Sequence, residues 1–241
     1  MNYKSIWNQS DWTEEARSLL KGLDKFPEDS KIIFIIRHSH RKSIEQVNEK
    51  TSGIRLTKIG HEIAKIFASN LPLDRTIRLF YSPVQRCKET AIDIFEGFKY
   101  VSGQTSINGP INELYDFGIE ANFFFEEINK YPTQFLYRWA AGLYPSEKVT
   151  PFKDYCQNAL RIILAKNIKS SKKSIDIYVS HDLIILAYRL GWFGLSPEGK
   201  RPSFLGGFAF AITKGNILLL DVDKLLTVEI PYWWNVQNNM I

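Results

Sequence analysis

Cysteine is scarce. Only Cys87 and Cys156 carry a thiol in 241 residues, each in a stretch that reads as helix, which excludes a disulfide framework and a cysteine-built zinc site. A reducing, cytoplasmic setting is the expectation. Long apolar runs are missing too: nothing approaches the ~18 apolar residues of a membrane span. Residues 1–21 scatter acidic and basic side chains where a signal peptide would stay apolar. A soluble protein with no membrane partner is expected. Repeats and low-complexity tracts are absent, as are basic blocks. The formal charge is +5, yet Lys and Arg alternate with Asp and Glu, and the densest cluster, residues 166–173, falls at a helix end where cations offset the dipole. Nucleic acid is therefore not an expected partner. The small positive excess favours anionic small molecules.

What is present is a chain 44% hydrophobic, long enough for one large core. Residues 11–23 have helical spacing (Trp12, Ala16, Leu19, Leu20, Leu23) and end before Pro27. Ile32 to Ile36 form an unbroken apolar run, the signature of a strand covered on both faces. Residues 57–70 repeat apolar positions at helical spacing. A strand over 77–81 runs into Ser82-Pro83-Val84-Gln85, which reads as a capping box, with Ser82 as cap and Pro83 in the first helical position. Helix 151–169, strand 175–179 and helix 182–192 continue the alternation, and strands 208–212 and 217–220 flank Lys214-Gly215-Asn216 as a hairpin. The expected fold is a single α/β domain. It is a three-layer α/β/α sandwich with a mainly parallel central sheet and one antiparallel edge hairpin. Residues 1–30 are expected to pack as an N-terminal helix, residues 103–149 to form a helical or irregular insert over the active site, and residues 222–241 to be a C-terminal tail.

Reactive residues collect where parallel sheets bind ligands, past the carboxyl ends of strands. The first strand delivers Arg37-His38-Ser39-His40-Arg41, the second Arg86, and the third Ser180-His181-Asp182. If those strands are neighbours, two histidines and three arginines converge. Forked, permanently charged guanidinium groups match the oxygens of a phosphoryl group, so Arg37, Arg41 and Arg86 are the expected phosphate clamp. A neutral imidazole can attack phosphorus and hold it covalently, a role open to His38 or His181. No Asp and His cluster at metal-ligand spacing surrounds them, so no metal and no cofactor is expected and arginine is to neutralise the charge.

These residues resemble the histidine phosphatase superfamily, which includes phosphoglycerate mutases and acid phosphatases. The likeness rests on Arg37-His38, the run Ser82-Pro83-Val84-Gln85-Arg86-Cys87-Lys88-Glu89-Thr90-Ala91, and Ser180-His181-Asp182. Leu56-Thr57-Lys58-Ile59-Gly60 and Gly206-Gly207 add to it. The resemblance implies a metal-independent phosphomonoesterase of the histidine acid phosphatase type. In it His38 is the phosphorylated nucleophile, Arg37 and Arg86 bind phosphate, and His181 completes the pocket. Ser39 stands where the family has glycine, which requires a backbone dihedral that tolerates a Cβ. The proton donor has two addresses: Glu113 in Ile111-Asn112-Glu113-Leu114, as in the mutase-like branch, or Asp182, as in the acid-phosphatase branch, which Arg41 also resembles. Glu113 is the first choice, since the chain is short and its insert lies where the mutase-like branch carries its glutamate, and Asp182 can serve instead as a helix cap.

Two rivals stay in view. A phosphoglycerate-type mutase needs extra cations to hold its substrate, and Leu114-Tyr115-Asp116-Phe117 supplies none. A non-catalytic phospholigand or phosphoprotein binder is the rival of another class. The expected partner is a phosphorylated small molecule or phosphoprotein, with a homo-oligomer left open. His40 and His61 are read as structural, Cys87 as a packing residue, Trp233 and Trp234 as anchors of the tail or a subunit contact, and the aromatics from Phe123 to Tyr144 mainly as core beneath the insert.

Overall fold

The computed structural model describes residues 2–42, 53–198 and 201–234. Seven strands form one sheet in the order β3-β2-β4-β1-β5-β6-β7. β1 (Lys31–Arg37), β2 (Thr76–Tyr81), β3 (Thr105–Pro110) and β4 (Ser174–Ser180) are mutually parallel. β5 (Gly207–Ile212), β6 (Asn216–Asp221) and β7 (Lys224–Glu229) continue antiparallel from β1. The expected hairpin is β5–β6, but it does not end the sheet. β7, inside the stretch expected to be a tail, pairs along all of β6 and forms the edge. Residues 235–241 of that stretch lie outside the described residues.

The apolar runs of β1 and β4 follow from burial on both faces. Ile33 and Ile35 join a core beneath α7 (Phe152–Ile168) and α8 (Asp182–Phe193), while Ile32, Phe34 and Ile36 join one beneath α1 (Tyr3–Gln9), α2 (Asp11–Gly22), α3 (Lys58–Ser69) and α4 (Gln85–Tyr100). The two-residue period of a strand divides its side chains between the layers. Each fully buried Ile or Phe contributes about 1.5–3 kcal/mol. The stretch expected as an insert opens with β3, then carries α5 (Ala121–Lys130) and α6 (Phe135–Ala140). Phe135 and Trp139 are buried as core, whereas α5 buries none of its residues and Phe125 stands exposed. Trp234 is buried against Phe193 and Phe210. Among the described residues no helix is long and apolar enough to cross a membrane.

One local expectation is corrected. α4 begins at Gln85 with Val84 as its cap and no side-chain cap bond, so Ser82, Pro83 and Gln85 do not make a capping box. The Ser82 hydroxyl meets His181 (2.8 Å) and accepts only a long bond from the Val84 N–H (3.4 Å), and the Gln85 side chain turns to Glu89 (3.3 Å).

Candidate active site

β2, β4 and β1 are consecutive in the sheet, so the three strand ends that carry the reactive residues are neighbours. Past β1 the backbone stays clamped on both sides. His38 N–H donates to Ser180 (3.0 Å), Arg37 N–H to Gly206 (2.8 Å), and Leu205 N–H to Arg37 (3.1 Å). Ser39 fits without strain, since its φ is not positive. It is fully buried and donates its hydroxyl to Gly60 (2.7 Å) and its amide to Thr90 (3.0 Å).

The two histidines are both buried, with ring centroids 5.5 Å apart, but their partners fix different tautomers. His38 Nδ1 lies 2.8 Å from the Ser39 carbonyl. A carbonyl only accepts, so Nδ1 carries the proton and Nε2 keeps the lone pair. His181 Nδ1 lies 3.1 Å from Arg86 Nη2, and guanidinium only donates. The His181 lone pair is therefore on Nδ1 and already engaged, while its Nε2–H faces Ser82. Burial holds His38 well below its usual pKa, helped by His181, Arg86 and Arg37. Burial and the same arginines bring His181 down to about 3. Both rings are neutral at neutral pH.

Around them stand the arginines. Arg37 Nη1 donates to the Pro202 carbonyl (2.8 Å), its guanidinium lies 4.5 Å from the Phe204 ring centre, and Nη2 is 3.3 Å from Asp182. Arg86 is buried at the start of α4. Arg41 donates to the Lys42 carbonyl (2.7 Å), and its charge reaches Arg37, Arg86 and His181. Arg37 Nε and Arg41 Nε are buried donors without a partner among the described residues. Such donors are costly unless a ligand oxygen takes them. Five nitrogen-bearing groups, three arginines and two histidines, thus gather at these strand ends, an arrangement that suits a phosphoryl dianion.

The two candidate acids sit in different company. Asp182, the first residue of α8, has one oxygen on its own Leu183 N–H (2.9 Å) and the other shared by Arg37 and Arg201 (3.6 Å). Burial raises its carboxyl, but the two arginines outweigh that and hold it below the usual carboxylate range. Glu113 lies on a short 3-10 turn, Asn112–Leu114. Its carbonyl accepts from the Tyr155 and Tyr188 hydroxyls and its carboxylate from Asn158 (3.3 Å). The turn is tied to the end of β4 by Ser180 Oγ donating to the Leu114 carbonyl (2.7 Å), and Tyr115 packs edge-on to His181 at 5.2 Å. Among the described residues no hydrogen bond joins the Glu113 carboxylate to either histidine.

The remaining polar residues have structural partners. His40 bonds Thr57 (2.8 Å), and His61 bonds Asp93 (2.7 Å), joining α3 to α4. Cys87 is fully buried with its thiol pushed up to about 12 by burial, so it stays protonated. No group of three or more His, Cys, Asp or Glu among the described residues could hold a metal ion. Sequence reasoning missed Phe204, Tyr115, Arg201 and the role of Ser82. Gly206-Gly207 is the nearby signal for the Phe204 loop and the Glu113 stretch the one beside Tyr115, while Arg201 has none.

The family model described as histidine phosphatase superfamily (branch 1) matches residues 33–207, a span that holds every strand end just described. No curated protein matches the chain. Among solved structures, the native mycobacterial glucosyl-3-phosphoglycerate phosphatase is similar at TM-score 0.55 and 13% identity, covering 83% of this chain and 98% of that one. Phosphoserine phosphatase from Entamoeba histolytica, in complex with 3-phosphoglyceric acid, gives TM-score 0.53 and 18% identity over 84% of this chain and 98% of its own. A putative alpha-ribazole-5'-P phosphatase from Escherichia coli gives 0.51 and 16%, over 82% and 95%. The likeness to these structures concerns the fold. With Arg37-His38 and His181 set side by side at its strand ends, and most of its length matched by the family model, the chain belongs to branch 1 of the histidine phosphatase superfamily.

Proposed function

We propose that the protein hydrolyses a phosphomonoester through a covalent phosphohistidine on His38. The observation that carries this reading is the tautomer: Nδ1–H is spent on the Ser39 carbonyl, which leaves the Nε2 lone pair of a buried, neutral imidazole among arginines. Nε2 attacks phosphorus as the ester P–O bond breaks, and a carboxylic acid protonates the departing oxygen. Water then attacks phosphorus, the P–N bond breaks, a carboxylate takes the water's proton, and inorganic phosphate leaves. Arg37, Arg41 and Arg86 neutralise the equatorial oxygens in both steps. His181 is the less suited nucleophile, because its lone pair accepts from Arg86; it lines the pocket and braces that guanidinium.

Glu113 is the better candidate for the acid. An Asp182 carboxyl held ionised by two arginines is a poor proton donor and a good anchor for Arg37. The branch 1 match supports the same choice, since the mutase-like branch is the one that resembles this chain at Glu113. The substrate class is a phosphorylated small molecule or phosphoprotein; the similar folds named above are phosphatases of phosphorylated metabolites.

The test is turnover of para-nitrophenyl phosphate in EDTA by wild type and His38→Ala. Activity that survives chelation and falls by a factor of about 10³ or more in the variant supports the proposal. Equal turnover by the variant defeats it, and phosphate binding by the wild type without any turnover identifies a binder instead.

A further inference from the structure

The family model begins at residue 33, so α1 and α2 precede the part of the chain it describes. α2 nevertheless reaches the phosphate clamp. Glu15 accepts the Ser203 N–H at 2.7 Å and faces the Gly207 backbone as well. Any side chain at Gly206 would run into that carboxylate. Trp12, one turn earlier on the same helix face, packs edge-on against Phe204 (5.9 Å, 86°) and lies 5.3 Å from the His40 ring. Phe204 in turn contacts Arg37, His38 (5.8 Å) and His40 (5.1 Å).

Residues 202–206 supply most of what fixes Arg37. Pro202 accepts from its guanidinium, the Phe204 ring centre lies 4.5 Å from it, and Leu205 and Gly206 hold its backbone; from outside the loop come the Asp182 ion pair and the β4 pairing at Ser180. The same loop is strained. Leu205 has φ of 61° with its side chain fully buried, and Gly207 follows at φ 157°. A non-glycine residue in that region costs about 1–3 kcal/mol and persists only where neighbours over-determine it. A carboxylate accepting a backbone N–H is among the stronger hydrogen bonds available for that purpose.

We infer that α2 is a positioning strut for the phosphate clamp: Glu15, seconded by Trp12, sets the Arg37 guanidinium by holding residues 202–206 against it. Glu15 touches no reacting atom, so it is a positioning residue. The inference rests on the reading of the pocket as a phosphate site. It makes the N-terminal helix part of the active-site machinery, where the sequence offers only a packing helix.

The experiment measures inorganic phosphate affinity by calorimetry, with thermal melts alongside, for wild type, Glu15→Ala, Glu15→Gln, Trp12→Leu, Arg37→Ala and Glu15→Ala/Arg37→Ala. Phe98→Leu, in the α4 core, serves as a destabilised control. Glu15→Ala is expected to weaken phosphate binding about 10-fold, the scale of one lost hydrogen bond to a charged group. Trp12→Leu should act in the same direction, and Glu15→Gln, whose amide oxygen still accepts from Ser203, should restore most of the affinity. In the Arg37→Ala background Glu15→Ala should add less than about 2-fold, since residues acting through one another are not additive. Phe98→Leu should melt earlier and bind phosphate as wild type does. Wild-type affinity in both Glu15→Ala and Trp12→Leu overturns the strut while leaving the pocket intact. A full multiplicative loss in the double variant, or an equal loss in Phe98→Leu, overturns it as well. A wild type that binds no phosphate overturns the phosphate-site reading itself.

Discussion

Two carboxyls are candidates for the acid, and their neighbours set them apart: Asp182 lies between Arg37 and Arg201, while the Glu113 carboxylate accepts from Asn158. Asp182 is held as an anion by Arg37 and Arg201, so Asp182→Asn should loosen Arg37 and weaken phosphate binding with every substrate alike. Glu113→Gln should behave differently: turnover of an alkyl phosphate such as phosphoserine falls about 10²–10⁴-fold, while para-nitrophenyl phosphate, whose leaving group needs little protonation, loses far less. Measuring kcat on both substrates separates the two, and a leaving-group-dependent loss in Asp182→Asn would transfer the acid role to it. Much of this pocket is legible in the chain, because Arg37-His38, Arg86 and Ser180-His181-Asp182 sit where apolar runs stop, and strand ends are where such sheets hold ligands. Ser82 reads as a cap in sequence because serine serves both jobs, and only the fold shows its short bond going to His181. Glu15 carries no local signal, and Phe204 only the nearby Gly206-Gly207. Glu15 meets Ser203 across 188 residues and Arg37 meets Pro202 across 165, contacts made by helix packing and sheet order that no local stretch announces.

At the level of elements, the strands that declare themselves are those covered on both faces. β1 and β4 are apolar because each side faces a helical layer. The edges do not: β3 (Thr-Ser-Ile-Asn-Gly-Pro) and β7 (Lys-Leu-Leu-Thr-Val-Glu) are mostly solvent-facing and carry the polar and proline residues that suit an edge. β4 holds one exception within its apolar run. Asp176 is completely buried, and in register beside it on β2 is Arg78, which grips it through two bonds of 2.7 and 2.6 Å while Asn167 adds a third. Removing one partner leaves a buried charge alone, so Arg78→Met should cost about 3–5 kcal/mol in urea unfolding. Adding Asp176→Asn in the same chain should recover a large part of that loss. Additive losses in the double variant would mean that the pair is not the source of the cost.

For the whole molecule, the neutral histidines tie folding to pH. Unfolded, each imidazole titrates near 6.5; folded, His38 sits well below that and His181 at about 3. Between those values the unfolded chain binds protons that the native protein refuses, so stability falls as pH falls, by about 1.4 kcal/mol per pH unit for each histidine. The stabilisation is complete above pH 6.5 and erodes toward pH 3. Other groups titrate in the same range, and a comparison of wild type with His181→Gln isolates one site. From pH 6.5 to 5, the wild type should lose roughly 2 kcal/mol more than the variant, read as urea midpoints converging or crossing. Parallel profiles would mean that His181 takes up its proton in the native state. Inorganic phosphate adds a second lever: binding only the folded pocket, it should raise the midpoint with concentration as RT ln(1 + [L]/Kd). Its anion also favours imidazolium beside it, so the acid-side loss should shrink when phosphate is present, and most of that rescue should vanish in Arg37→Ala.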